Sequence, residues 1–449
     1  MRRRRAIGPP PGTIVETTIE RLGGRGDGVA VLYEGPLYVP YVLPGERVRA
    51  RVGAPRGEGW VGRADAILAP ASVRAAPACR HFTLCGGCAL QHLAPADYAA
   101  FKRSQIVTAL ERRGFAAPPV AAPLISPPAS RRRVTVAVRR TAEGCVIGFH
   151  AVASSRIVPI DECPVCVPAI VALLPPLASC LAECLPPAAG ADVAITAIGG
   201  ALDVVIEAAG SPDLSAREAL AAFAAAHAVA RLSWRDGSDA TPEPIAQRRP
   251  VRAVFGDVPV DLPPGAFLQA TEPGERAIVE TVRGALPNDG RVADLYAGCG
   301  TIALALTHAV HAVEVDAAAL EALGAAARGA RRPITTERRD LARQPLAGAA
   351  LDDFAAVVFD PPRAGAPAQA AALAASAVPT VVAVSCHPGS FARDARILVD
   401  GGYRLESVQP IDQFLWSAQV ELVAVFRREA APVLWIENSN GNMRIQKET

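Results

Sequence analysis

Short runs of alternating apolar and polar residues fill positions 12–68, among them Thr13-Ile14-Val15-Glu16, Val29-Ala30-Val31-Leu32, Leu37-Tyr38-Val39-Pro40-Tyr41-Val42 and Arg47-Val48-Arg49-Ala50-Arg51-Val52. A period of two broken by Gly and Pro turns predicts a small antiparallel β-barrel, with Gly23-Gly24-Arg25-Gly26-Asp27-Gly28 as a flexible loop. From about 77 to 260 the pattern is less regular. Cysteine-rich stretches alternate there with strands such as Arg133–Val138 and Leu202–Ile206, and with proline-rich breaks near 117–128 and 240–250. Beyond about 265, apolar strands are followed by Ala-rich helices, a βαβ organisation that predicts a mostly parallel sheet covered on both faces. The expected fold class is α/β: a barrel over 1–70, an α+β middle domain over 71–264 and an α/β domain over 265–449, with no internal repeat.

Composition agrees with packed cores, at 51% hydrophobic and 20% charged residues. The apolar runs are interrupted before the roughly 18–20 residues of a membrane span, so a soluble protein and no membrane partner are expected. The start, Met1 to Pro10, is basic but has no apolar core behind it, which argues against a secretory leader and for a cytoplasmic location. In that reducing compartment ten cysteines read as metal ligands, catalytic thiols or small buried residues rather than a disulfide framework. The net charge of +2 conceals an asymmetry: residues 1–140 carry 22 Lys and Arg against 9 Asp and Glu. That block fits a polyanion such as RNA. A solvated Arg-rich surface is the other reading, in a chain with only two lysines. A monomer is expected.

The α/β part carries the chemistry. Arg291-Val292-Ala293-Asp294-Leu295-Tyr296-Ala297-Gly298-Cys299-Gly300-Thr301-Ile302-Ala303 reads as a buried strand, a glycine turn and the start of a helix, with Gly298 and Gly300 allowing close backbone approach to a ligand. A second strand ends at Glu314, placed to hold a ribose diol. Asp340 follows a third strand at 332–338, where it can meet an adenine amino group. The same spacing is found in nicotinamide-binding folds and does not by itself identify the cofactor. Two further apolar strands deliver Asp360-Pro361-Pro362 and Ser385-Cys386-His387-Pro388 to the carboxyl edge of the sheet, where such folds place ligands. Cys386 is either a nucleophile there or a buried strand-end thiol, and Glu421 on a late strand offers a base.

These residues together resemble the RNA uracil-5-methyltransferase family, which modifies 23S ribosomal RNA or the T-loop of transfer RNA, and the likeness spans nearly the whole chain. The resemblance implies a class I, Rossmann-like methyltransferase domain using S-adenosyl-L-methionine, with Gln269 of Phe267-Leu268-Gln269, Tyr296, Gly298, Gly300, Thr301, Glu314, Asp340 and Asp360 around the cofactor. It further implies Cys386 as nucleophile and Glu421 as proton acceptor. Uracil C5 is a poor nucleophile until a thiolate adds at C6, which explains why a thiol is needed. Two departures stand out: His387 where the family often has Asn, and Gln419 where it often has His. The first 70 residues resemble a TRAM barrel, an OB-like RNA-binding module. Its Tyr33, Tyr38 and Tyr41 are either stacking residues or half-buried strand residues.

Cys79, Cys85 and Cys88 bracket a Gly-Gly pair, and Cys163-Pro164-Val165-Cys166 lies further on. Four thiolates can hold an iron–sulfur cluster or zinc. The resemblance implies a 4Fe-4S cluster on Cys79, Cys85, Cys88 and Cys163, as in the ribosomal-RNA members, with structural zinc as the alternative. RNA is the expected partner, 23S rRNA favoured and tRNA possible. A non-enzymatic RNA-binding assembly factor is the reading of another class. Cys145, Cys180, Cys184 and Cys299 read as ordinary packed residues.

Overall fold

The computed structural model describes residues 9–428 apart from Asp239, with the backbone of Leu434–Glu437 and Met443–Gln446. The basic start before Pro9 and the polar stretch Asn438–Asn442 lie outside the described residues.

The first sheet has six strands in the order Ile14–Thr18, Arg47–Arg56, Gly59–Ala69, Gly35–Val39, Gly28–Leu32 and Arg21–Leu22. Its alternating side chains enclose one core of Ile19, Ala30, Leu37, Val39, Val48, Ala50, Val52 and Trp60, as the period of two requires. The second sheet has seven strands, Ile157–Pro159, Gly144–His150, Arg133–Thr141, Gly190–Ile198, Ala201–Ala208, Val229–Arg235 and Glu243–Gln247. One parallel pair, Ala201–Ala208 with Val229–Arg235, is bridged by helix Leu214–Ala226, because a parallel connection needs a crossover. That helix packs on helix Pro168–Cys184.

The third sheet positions the site. In space its strands run Ile334–Arg338, Val310–Glu314, Arg291–Leu295, Phe354–Phe359, Thr380–Ser385, Glu421–Arg428, Tyr403–Asp412 and Leu124–Ile125. The first five are mutually parallel, and Glu421–Arg428 runs antiparallel to both of its neighbours. The central strands are near-continuous apolar runs, as burial on both faces demands; Thr380–Ser385 is buried throughout. The order reverses between Arg291–Leu295 and Phe354–Phe359, so a crevice opens at their carboxyl ends.

Three features differ from the sequence reading; the first is that the first sheet is not wholly antiparallel, since Gly35–Val39 pairs in parallel with Gly59–Ala69. The glycine turn does not begin an α-helix: only the 3₁₀ turn Ala303–Ala305 forms before the chain enters the strand at Val310. Too few residues separate Gly300 from that strand for several helical turns. In addition, helix Pro95–Glu111 and strand Leu124–Ile125, expected within the middle stretch, join the third sheet. Ile106 and Leu110 enter its core, and Leu124–Ile125 pairs with Ile411–Asp412. No helix among the described residues is long and apolar enough to cross a membrane.

Candidate active site

The glycine turn is shaped by backbone demands. Tyr296, Gly298 and Gly300 all have positive φ (65°, 55° and 96°). A Cβ at Gly300 would lie 2.9 Å from side-chain atoms of Leu304 and Leu323, whereas one at Gly298 would meet nothing within 4 Å. Gly300 is thus required by packing, and Gly298 leaves its surroundings open. Glu314, at the end of the next strand, accepts from the Gly298 N–H through Oε2 (2.9 Å) and from the Val315 and Asp316 N–H groups through Oε1 (2.7 and 2.9 Å). Asp340 accepts from the Ala342 and Arg343 N–H groups (3.0 and 3.3 Å). Thr301 lies half-buried on the turn.

Tyr296 connects this set, because its phenol, pushed up to about 12 mainly by burial, also feels the charges of Asp340, Asp394 and Glu314. Below it, Asp294 is buried and accepts from the Ala303 N–H (2.9 Å), tying the strand end to the 3₁₀ turn. Desolvation raises its carboxyl to about 8, with the Asp360 and Glu314 charges adding to the effect.

Cys386, Asp360 and Glu421 come together at the same edge. Burial pushes the Cys386 thiol up to about 11; the carboxylates of Glu421 and Asp360 raise it further, and Arg363 opposes them. Glu421 is buried, and desolvation followed by the Asp360 charge lifts it to about 8. Asp360 reaches about 7 for the same first reason, moderated by a hydrogen bond from Gln269 Nε2 at 3.3 Å. Gln413, which sequence patterning did not single out, completes the arrangement. Its Nε2 donates to Gln269 Oε1 (2.6 Å) and to Glu421 Oε2 (2.9 Å). Gln413 follows the mixed polar and apolar strand Tyr403–Asp412, so nothing in the sequence marked it out. His387 caps helix Pro388–Asp400, its Nδ1 accepting from the Ser390 N–H (3.1 Å), so this departure serves the fold of the strand-to-helix turn.

A second buried cluster anchors the loop before Glu421. Lys102, fully buried on helix Pro95–Glu111, donates to Asp412 Oδ1 (2.8 Å), to the Phe414 carbonyl (3.3 Å) and to the Gln419 carbonyl. Tyr98 donates to Asp412 Oδ2 (2.5 Å) and accepts from the Trp416 N–H (2.7 Å). The Trp416 carbonyl in turn accepts from the Ala89 and Leu90 N–H groups (2.8 and 3.0 Å), which joins this loop to the cysteine-bearing segment.

Cys79, Cys85, Cys88 and Cys163 are close enough to act on one another's charge, and desolvation is the leading cause raising the thiols of the first three, Cys88 to about 12. Hydrogen bonds from the Cys166 thiol and from the Val165 and Cys166 backbone hold Cys163 below the usual thiol range. Gly86 donates to the His150 carbonyl (2.9 Å) and could not carry a Cβ, which would sit 2.9 Å from that oxygen. Among the described residues no group of three or more His, Cys, Asp or Glu side chains is arranged to hold a single metal ion. Cys145, Cys180 and Cys184 pack against the core of the second sheet, and Cys299 is buried in another core.

A cleft of about 1290 Å³ separates the cysteine segment from the sheet edge that carries Cys386. Gly87 and Cys386 line it, together with Arg21 and Arg25 of the barrel, Arg112 and Arg363. The tyrosines of the barrel divide: Tyr33 is fully exposed, Tyr38 lies under the Arg56 guanidinium at 4.4 Å, and Tyr41 packs edge-on against Phe82 at 5.1 Å.

No family model matches the chain. It is 45% identical over 412 residues to an "Uncharacterized RNA methyltransferase" of Mesorhizobium japonicum, covering 91% of this chain and 97% of that protein. It is 35% identical over 428 residues to the 23S rRNA (uracil(1939)-C(5))-methyltransferase RlmD of Chromohalobacter salexigens, covering 92% of this chain and 89% of the relative. Its fold matches the crystal structure of Pyrococcus abyssi tRNA (uracil-54, C5)-methyltransferase in complex with S-adenosyl-L-homocysteine, with a TM-score of 0.72 at 23% identity, over 92% of this chain and 99% of that one. With its cysteine, carboxylates and glycine turn on one edge of a methyltransferase sheet, and with a curated relative matched along most of its length, the chain belongs to the RNA uracil-C5-methyltransferase family.

Proposed function

We propose that the enzyme methylates C5 of a uridine in RNA, 23S rRNA in preference to tRNA, with Cys386 as nucleophile and Glu421 as base. The observation that carries this reading is the meeting of a half-buried thiol, a buried carboxyl and Asp360 at one sheet edge. The preference for ribosomal RNA rests on the 23S rRNA enzyme matched at 35% identity.

S-adenosyl-L-methionine supplies the electrophilic methyl group when bound. Gln269, Tyr296, Gly298, Gly300, Thr301, Glu314, Asp340 and Asp360 would hold it; the acidic edge complements its positive sulfur, and Gly298 keeps the turn open. Cys386 adds to uracil C6 as the thiolate, its proton released to solvent in the cleft it lines, and Arg363 beside it favours that anion. The resulting enolate carries the electron pair at C5 that accepts the methyl group. Glu421 then removes the C5 proton, the pair forms the C5–C6 double bond, and the thiolate of Cys386 leaves. A carboxyl near 8 is matched to that transfer at neutral pH.

Cys79, Cys85, Cys88 and Cys163 would hold a 4Fe-4S cluster; their mutual electrostatic coupling and the hydrogen bonds to Cys163 suit a thiolate-ligated group. Methyl transfer is redox-neutral, so the cluster would brace the segment that lines the cleft. The first sheet acts as a TRAM-like RNA-binding barrel, presenting Arg21 and Arg25 to that cleft.

The test is methylation of separate 23S rRNA and tRNA transcripts with methyl-labelled cofactor, followed by nuclease mapping of 5-methyluridine. Label at C5 of one uridine in 23S rRNA is expected; label in tRNA alone would reverse the substrate preference, and label in neither would remove the proposed activity.

A further inference from the structure

Gln413 is buried at the end of strand Tyr403–Asp412, and all the hydrogen-bonding groups of its amide are engaged. Oε1 accepts from the Ala270 N–H (2.8 Å), while Nε2 donates to Gln269 Oε1 (2.6 Å) and Glu421 Oε2 (2.9 Å). The flipped amide would set oxygen against both the carboxylate and the Gln269 oxygen, and an amino group against the Ala270 N–H. Gln269 is fixed in turn by donation to Asp360 Oδ2, so the network admits one orientation. Space for it is made by Gly274: a Cβ there would lie 2.8 Å from the Gln413 Cβ.

A carboxyl oxygen that already receives an amide N–H cannot also carry a proton pointing at that amide. Among the described residues, Glu421 Oε1 has no hydrogen-bond partner. We propose that Gln413 is the positioning residue for proton removal: it reserves Glu421 Oε2, presents Oε1 to the C5 proton, and ties the base through Gln269 to Asp360. The inference rests on the proposed role of Glu421. In the step it governs, the C5–H bond breaks and the proton passes to Oε1. The freed pair forms the C5–C6 double bond, and the C6–S bond breaks with its pair leaving on Cys386.

The experiment follows single turnovers of the full-length enzyme on a 23S rRNA transcript with methyl-labelled cofactor, resolving the covalent RNA–protein adduct on denaturing gels across pH. Gln413→Met is expected to form labelled adduct at the wild-type rate but to resolve it about tenfold more slowly. Its rate of resolution should need a higher pH, because loss of the N–H donor raises the proton affinity of Glu421. Gln413→Glu keeps an acceptor for Ala270 and sets a second carboxyl beside Glu421, so it should move the pH dependence further the same way. Glu421→Gln should trap the adduct. Failure of that variant to trap would overturn the base assignment itself. Trapping by Glu421→Gln together with wild-type resolution and pH dependence in both Gln413 variants would overturn the positioning role alone.

Discussion

The catalytic edge and the cysteine segment face each other across one cleft, yet they are held in opposite ways. At the edge, Cys386, Asp360 and Glu421 stand at the ends of strands Thr380–Ser385, Phe354–Phe359 and Glu421–Arg428, whose register fixes where each side chain emerges. Hydrogen bonds from Gln269 and Gln413 then fix the carboxyls. Residues 73–94 are built almost wholly of turns, fastened by backbone hydrogen bonds to His150 and Trp416 and by side-chain bonds from Arg74 to Glu46 and between His81 and Asp161. A site on a sheet edge is organised by the fold itself, whereas a set of thiols on turns depends on what the thiols bind. The Lys102–Asp412–Tyr98 cluster is where the two meet, since it clamps the loop that carries both the link to Ala89 and the approach to Glu421.

Four outcomes would break or sharpen this contrast. The largest concerns chemistry alone: Cys386→Ala should lower turnover by roughly 10⁴-fold or more, while calorimetry finds cofactor binding and melting temperature unchanged. Loss of stability on that substitution would mean that the edge is not organised independently of that thiol. Next in size is Lys102→Met, which strands the buried Asp412 carboxylate and should destabilise the protein by about 3–5 kcal/mol in urea unfolding. Restoring much of that loss with Lys102→Met combined with Asp412→Asn would show that the unpaired charge is its cause.

Chelation to remove the proposed iron–sulfur cluster, or Cys85→Ser, should raise hydrogen exchange at residues 79–93 and, through the Trp416 carbonyl, at 414–420. Exchange in Val292–Leu295 and Val381–Val384 should not change; loosening there would show that the cluster supports the edge as well. The smallest effect follows from pH. Glu421 and Asp360 rise from ordinary values of 4.5 and 3.8 to about 8 and about 7 in the native state. The native state therefore binds more protons, so the associated stability is complete below the unfolded values and is lost as pH rises through about 7 to 8. Glu421→Gln, neutral throughout, should melt a few degrees above wild type at pH 9 and show no such advantage at pH 4. An equal difference at both pH values would mean that Glu421 is not desolvated.

The patterning of apolar residues determined much of this molecule by itself. Strand-forming runs over 12–68 and the apolar strands ending at Leu295, Phe359 and Ser385 lie where alternation and burial placed them, because those periods report one-sided and two-sided packing directly. The short motifs at Gly298–Gly300, Asp360–Pro362 and Cys386 were legible for a related reason: each sits where a strand ends, and a parallel sheet gathers its strand ends on one edge.

Only the tertiary structure decided the rest. Nothing local separates helix Pro95–Glu111 from the middle stretch, since its place against the third sheet depends on partners as far as 310 residues away. The helix expected after the glycine turn shortened to Ala303–Ala305 because the next strand begins too soon. Gln413 acquired its place from three hydrogen bonds, to Ala270, Gln269 and Glu421, that exist only once the neighbouring strands Tyr403–Asp412 and Glu421–Arg428 pack against the segment before helix Glu272–Ala285, more than 140 residues earlier in the chain. Periodicity encodes which side of an element is buried; which polar group it meets there is settled by packing between elements far apart in the chain.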